Sequence, residues 1–198
     1  MTTPGINDLF TGAYRKDVKT SIWRVNGAVA PPEQYQDIGS LLSSLPPDAQ
    51  MRPTLDASAP AMAAMTAVAA SSRLPVEQKN VVVPAYLHYV RKEGDNDYHL
   101  ILGSTADSTA AYMTAEVSGL PAGSIDVPTL MQVRSQLMNL LGHEPGTGDY
   151  QPQNPPLSVL VTGSLFFDGG HVPGEVGPET AKTPQVWEIH PVTNLQAH

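Results

Sequence analysis

Cysteine is absent from the 198 residues. That excludes disulfides, thiolate nucleophiles and every zinc or iron–sulfur site that needs sulfur ligands. Charge is also scarce: charged residues make up 15%, and 11 Lys and Arg stand against 19 Asp and Glu, a formal charge of -8. The cations occur singly or in pairs, as in Arg15/Lys16 and Arg91/Lys92, and never as a basic run. A chain of this balance repels phosphate backbones and anionic headgroups, so nucleic acid is a disfavoured partner. Long apolar runs are missing too. The longest weakly polar stretch, residues 57–70, is mostly Ala, Met and Ser with Pro60 inside it. It is too short and too small-sided to span a bilayer, and a soluble protein with no membrane insertion is expected. Residues 1–19 carry no basic start followed by an apolar stretch, so no signal peptide is visible, and the sequence leaves the compartment open.

What is present is proline and glycine, 19 and 16 of them, set between short apolar runs as turns are set between strands. The length fits one barrel with an N-terminal extension. Residues 1–75 read as that extension. It comprises an arm with one apolar piece around Trp23 and Val25, a short helix over 38–45, and an Ala/Pro-rich linker over 48–75. The helix has Asp37 as its N-cap, Ile38, Leu41, Leu42 and Leu45 at helical spacing, and Pro46 and Pro47 as its stop. Residues 76–198 carry strands over 81–90, 98–102, 111–117, 158–167 and 185–195. Tyr98, Leu100 and Leu102 share one face of the second strand; on the third, Met113, Ala115 and Val117 oppose Tyr112, Thr114 and Glu116. A helix separates the third and fourth strands, with Asp126 as N-cap, Pro128 in its first turn and Gly142 as its stop. Gly163 marks a bulge or a barrel corner. Three strands, a helix and two strands predict a mainly β fold, a five-stranded OB-like Greek-key barrel. A β-sandwich with one inserted helix is the rival.

The runs Asp97-Tyr98-His99-Leu100-Ile101-Leu102, Val161-Thr162-Gly163-Ser164-Leu165-Phe166-Phe167-Asp168 with His171, and Trp187-Glu188-Ile189-His190-Pro191-Val192 carry a likeness. Over roughly residues 80–195 the chain resembles an uncharacterised bacterial family of small OB-fold-like proteins. The resemblance implies the fold and attaches no activity.

Six histidines in a cysteine-free chain invite a metal reading, because imidazole and carboxylate can complete a zinc or manganese site without sulfur. Asp95, Asp97 and His99 alternate where a turn enters a strand, and Glu188 and His190 alternate on the last strand. Asp168 and His171 follow the fourth strand. The candidate ligands are therefore His99, Asp168, His171 and His190. Against them, a Glu-x-His pair on a strand is commonly a solvated face, and Asp95-Asn96-Asp97 is ordinary turn chemistry. No His-Glu-x-x-His or Gly-x-Ser-x-Gly motif occurs. Tyr86, Tyr98, Tyr112 and Trp187 offer aromatic faces, and Arg91 a charge, for a ligand. The leading expectation is a binding or interaction module for an unknown protein or small molecule, with no cofactor required. Its contact surface would be the arm and the glycine-rich loop 168–184. The alternatives are a divalent-metal protein or metal-assisted hydrolase, and weak single-strand nucleic-acid binding.

Overall fold

The computed structural model describes residues 8–12, 14–51, 73–171 and 175–198. Most of the expected 48–75 linker and part of the 168–184 loop lie outside them. The arm forms a one-turn helix α1 (Lys16–Lys19), a hairpin of β1 (Arg24–Val25) and β2 (Ala28–Val29), and a short strand β3 (Glu33–Gln34). Helix α2 (Ile38–Ser43) follows. Its N-cap is the expected one: Asp37 accepts from the Ser40 N–H, and the Ser40 hydroxyl accepts in return from the Asp37 N–H.

The chain then supplies β4 (Asn80–Lys92), β5 (Tyr98–Gly103), β6 (Tyr112–Val117), helix α3 (Val127–Leu141), β7 (Gln151–Phe167) and β8 (Trp187–Ala197). β4 pairs antiparallel with both β5 and β7, β5 pairs with β6, and β7 pairs with β8. A short parallel register joins β6 to β8, Thr114 to Glu188 and Ala115 to Ile189. The sheet thus returns to its first strand and is mostly closed. β3 lies parallel along the part of β4 that β5 does not reach.

Period-two alternation fills the interior. Val81, Val83, Ala85 and Leu87 of β4 meet Leu100 and Leu102 of β5, Met113 and Ala115 of β6, and Trp187 and Ile189 of β8 in one core. Gly163 is where β7 bends over β8: the register shifts there, and a Cβ would come within 2.5 Å of Ile189 Cγ2 and of the Pro191 carbonyl. The bulge expected at this glycine is required by space, with no left-handed backbone involved.

Two expectations need correction. β7 begins at Gln151 and runs through Pro152, Pro155 and Pro156, a stretch whose prolines read as a loop. Its first residues pair sparsely with the far end of β4, Pro152 with Tyr89 and Gln151 with Val90, so few ladder hydrogen bonds are asked of it. Asp126 precedes α3 but makes no side-chain cap; its carboxylate instead accepts from the Ile22 N–H and the Arg24 guanidinium, tethering the arm. Gly142, at φ 76°, ends the helix as expected.

Buried arginines pin the arm to the outside of the barrel. Arg15 donates to both oxygens of Glu77 at 2.6 Å, and the same carboxylate accepts from the backbone N–H groups of Leu74 and Phe167. Arg73 donates to the carbonyls of Val18 and Ser21 in the arm and of Leu165 and His190 in the barrel. Among the described residues no helix is long and apolar enough to cross a membrane. Glu77→Ala would strand the Arg15 guanidinium without its partner, and urea unfolding should show a loss of about 3–5 kcal/mol. A loss under about 1 kcal/mol would mean that the pair does not hold the arm.

Candidate metal centre

The pleat that fills the barrel also decides what stands on its outer wall. Where β5 and β6 put Leu100 and Ala115 inward, they put His99 and Glu116 outward as direct cross-strand neighbours. Parallel pairing with β8 brings Glu188 opposite Thr114 and carries His190 up beside Glu116. Asp97 enters β5 on the His99 side, and Asp168 leaves β7 just past Phe167. In most proteins such a face is solvated. Here α1, Arg73 and the loop after β7 cover it, and Asp97, His99, Glu116, Asp168, Glu188 and His190 are all buried.

The distances are short. His190 Nδ1 lies 2.9 Å from Glu116 Oε2 and 3.4 Å from Glu188 Oε2, while its Nε2 lies 3.4 Å from Asp97 Oδ2. Asp97 Oδ1 accepts from the Gly119 N–H at 2.5 Å. Asp168 Oδ2 is 2.8 Å from His171 Nδ1, and its other oxygen accepts from the Gly170 N–H. The Lys19 ammonium stands 3.8 Å from Glu116 and 3.7 Å from Asp168. Two sets of potential ligand atoms, Asp97/Glu116/His190 and Asp168/His171/Glu188, lie with all members within 4.8 Å of one another. Asp97 Oδ2, Glu116 Oε2, His190 Nε2 and His99 Nε2 are buried without a hydrogen-bond partner.

Four buried carboxylates around one ammonium cannot all ionise cheaply. Burial, then the neighbouring Glu116 and Asp95 carboxylates, push Asp97 well above the ordinary carboxyl range. Glu188 rises in the same way, through burial and then Glu116 and Asp168. Burial also works against the Glu116 carboxylate, but His190 and Lys19 outweigh it and hold Glu116 low. Asp168 is held low against burial by His171 and Lys19. Burial lowers the His190 imidazole, favouring its neutral form. Lys19 loses solvation but rises well above its usual value because Glu116, Glu188 and Asp168 surround it.

A pocket of about 330 Å³ opens over this cluster. The 93–95 turn, β5, β6, the loop after β7 and α1 each contribute to it, through Glu93, His99, Glu116, His171 and Lys19. At its rim Arg91 pairs with Glu93 and lies over the Tyr150 ring, 4.3 Å from its centre. Glu93 Oε1 and the Tyr150 hydroxyl approach His99 Nδ1 at 3.2 and 2.9 Å. Hydrogen bonds from His99 and Arg91 keep Glu93 ionised despite partial burial. A carboxylate can only accept, so Nδ1 carries a hydrogen towards Glu93.

Of the four ligands expected from sequence, His190 falls in the first set and Asp168 and His171 in the second. His99 is in neither and stands beside them as Glu116's cross-strand neighbour. Asp97, Glu116, Glu188 and Lys19 were not among them. Glu116 was legible only as facing away from the core, and Lys19 left no signal at all. The aromatic candidates scatter. Trp187 is buried against Phe167 and donates to the Pro46 carbonyl, Tyr98 hydrogen-bonds Glu144 and is covered by Arg134, and Tyr112 packs on His88. Tyr86 is half-buried on β4, and of this group only Arg91 reaches the pocket. No protein-family model matches the chain, and no curated protein matches it.

Asp97 and Glu188 hold their protons more tightly folded than unfolded. Their contribution to stability is therefore complete below about pH 4, near the unfolded values, and is lost as pH rises through the folded-state values. Glu188→Gln removes one such group. In chelator-treated protein its stability should fall less than that of the wild type between pH 5 and pH 8, as read by urea unfolding at each pH. An equal fall would show that Glu188 ionises freely in the folded state.

Proposed function

We propose that the chain is an OB-like barrel that binds a divalent metal ion through Asp97, Glu116 and His190. The observation that carries this is the pair of buried, unpartnered atoms His190 Nε2 and Asp97 Oδ2, 3.4 Å apart beside Glu116. His190 Nδ1 faces the carboxylates of Glu116 and Glu188, which fixes its hydrogen there. Nε2 then turns a lone pair towards a carboxylate oxygen. A proton kept on Asp97 satisfies that contact in the metal-free chain, and a divalent ion that displaces it gains both atoms as ligands. Bonds of about 2.0–2.2 Å to zinc place neighbouring ligand atoms about 3–4 Å apart, the spacing of His190 Nε2 and Asp97 Oδ2, and the three residues offer ligand atoms within 4.8 Å of one another. One nitrogen and two carboxylates suit zinc or manganese.

Two features support the wider reading. The strand order β4-β5-β6-β8-β7, returning to β4 with α3 between β6 and β7 in the chain, follows the OB pattern. In that fold the outer face of the second and third strands, between the first and last loops, is where ligands bind. Here that face is β5 and β6, and the loops are the 93–97 turn and the segment after β7. Glu116 lines the pocket, so an ion held there would be reachable from it, and such an ion would supply a bound water of lowered pKa for hydrolysis. In a metal-free interaction module, Lys19, His171 and retained protons alone would have to offset these four buried carboxylates.

Protein purified without chelator should contain about one zinc or manganese per chain by elemental analysis. After stripping, added zinc or manganese should change the fluorescence of Trp187, next to Glu188, saturably. Asp97→Asn and His190→Ala should each weaken that response at least about 100-fold, the upper end of what loss of a ligand's supporting contact costs. Stripped protein that takes up neither ion would end this reading.

A further inference from the structure

Lys19 is held in the cluster by the charge of Glu116 and Asp168 and not by hydrogen bonds to them. Its side chain is nine-tenths buried, yet among the described residues the ammonium makes no hydrogen bond; both neighbouring carboxylates stand 3.7–3.8 Å away. Its N–H donors are therefore not taken up as hydrogen bonds by those carboxylates, and Lys19 lines the pocket. Two further cationic groups reach the same pocket from separate elements. Arg91 comes from the end of β4, and His171, more than half exposed, comes from the segment after β7. The Asp168 carboxylate raises the His171 imidazole above its ordinary value and favours its charged form.

We infer that this pocket takes a small phosphate-bearing molecule, its phosphoryl oxygens lying between Lys19 and an ion held by Asp97, Glu116 and His190. The inference rests on the metal reading above. Donors that arrive from three directions suit a tetrahedral dianion better than a planar carboxylate, and a lysine ammonium acts as a point charge for phosphate. Glu93, Asp95 and Glu116 also line the pocket, and without an ion they repel an anion. Phosphate binding must then depend on the metal. The volume, about 330 Å³, lies at the small end of ligand pockets and fits a phosphate with a compact organic group.

The test uses the full chain loaded with manganese and probed with inorganic phosphate. The ³¹P resonance of phosphate should broaden strongly with manganese-loaded protein, saturably in protein concentration, and binding should vanish when the ion is stripped. Lys19→Met keeps an unbranched side chain of similar length and removes the donors. It should weaken phosphate at least tenfold while manganese binds as well as before or more tightly. His171→Gln, at an exposed position, should weaken phosphate by a smaller factor with the fold intact. Manganese-loaded wild type that ignores phosphate, acetate that binds as tightly as phosphate, or a Lys19→Met protein with unchanged phosphate affinity overturns this inference and leaves the metal centre standing. Wild type that takes up no manganese removes both.

Discussion

Carboxylates gathered on the outer wall of a barrel and then covered are the constraint around which the rest is arranged. Alternation along β5, β6 and β8 fills the core and, by the same step of the pleat, sets Glu116, Glu188 and His190 on the opposite face. Solvent could have stabilised their charges. The arm takes that solvent away, so the charges must be met by Lys19, by retained protons or by a metal ion. Each remedy is local to this patch.

The arm is held by equally buried groups, which explains why it can cover such a face. Arg15 and Glu77 neutralise one another, and Glu77 spends its remaining capacity on the backbone N–H groups of Leu74 and Phe167. Among the described residues Arg73 has no carboxylate in direct contact, and burial lowers it to about 10. It satisfies itself instead on carbonyls from α1's end, β7 and β8. One of these carbonyls belongs to His190, so the group that clamps the arm also fixes the backbone of a central residue of the cluster.

The β-branched and aromatic runs made β4, β5, β6 and the apolar half of β7 legible from sequence, because period two survives wherever one face is buried. Helix α3 was legible from Pro128 and Gly142. The first part of β7 was hidden by its prolines, which argue against a strand wherever a full ladder is required. Within the site, the shared face of Asp97 and His99 and the pairing of Glu188 with His190 could be read from spacing alone. Their convergence could not. It depends on the parallel register between β6 and β8, strands far apart in the chain, and no local pattern encodes that. Lys19 was invisible for a simpler reason: a four-residue helix has too little periodicity to show which of its side chains points inward.

The brief parallel register between β6 and β8 has a consequence for how this molecule reaches its final form. It is the only described link that ties the third strand of the barrel to the last, and it joins residues of high sequence separation. Such contacts carry the largest loop-closure cost and are the slowest to form. Glu116 and His190 meet only when it closes, and Lys19 arrives from still further along the contour. Glu116 and His190 therefore stay apart in any partly folded chain in which β8 has not docked on β6. Any partner that needed both groups at once would recognise only a chain whose last strand is in place.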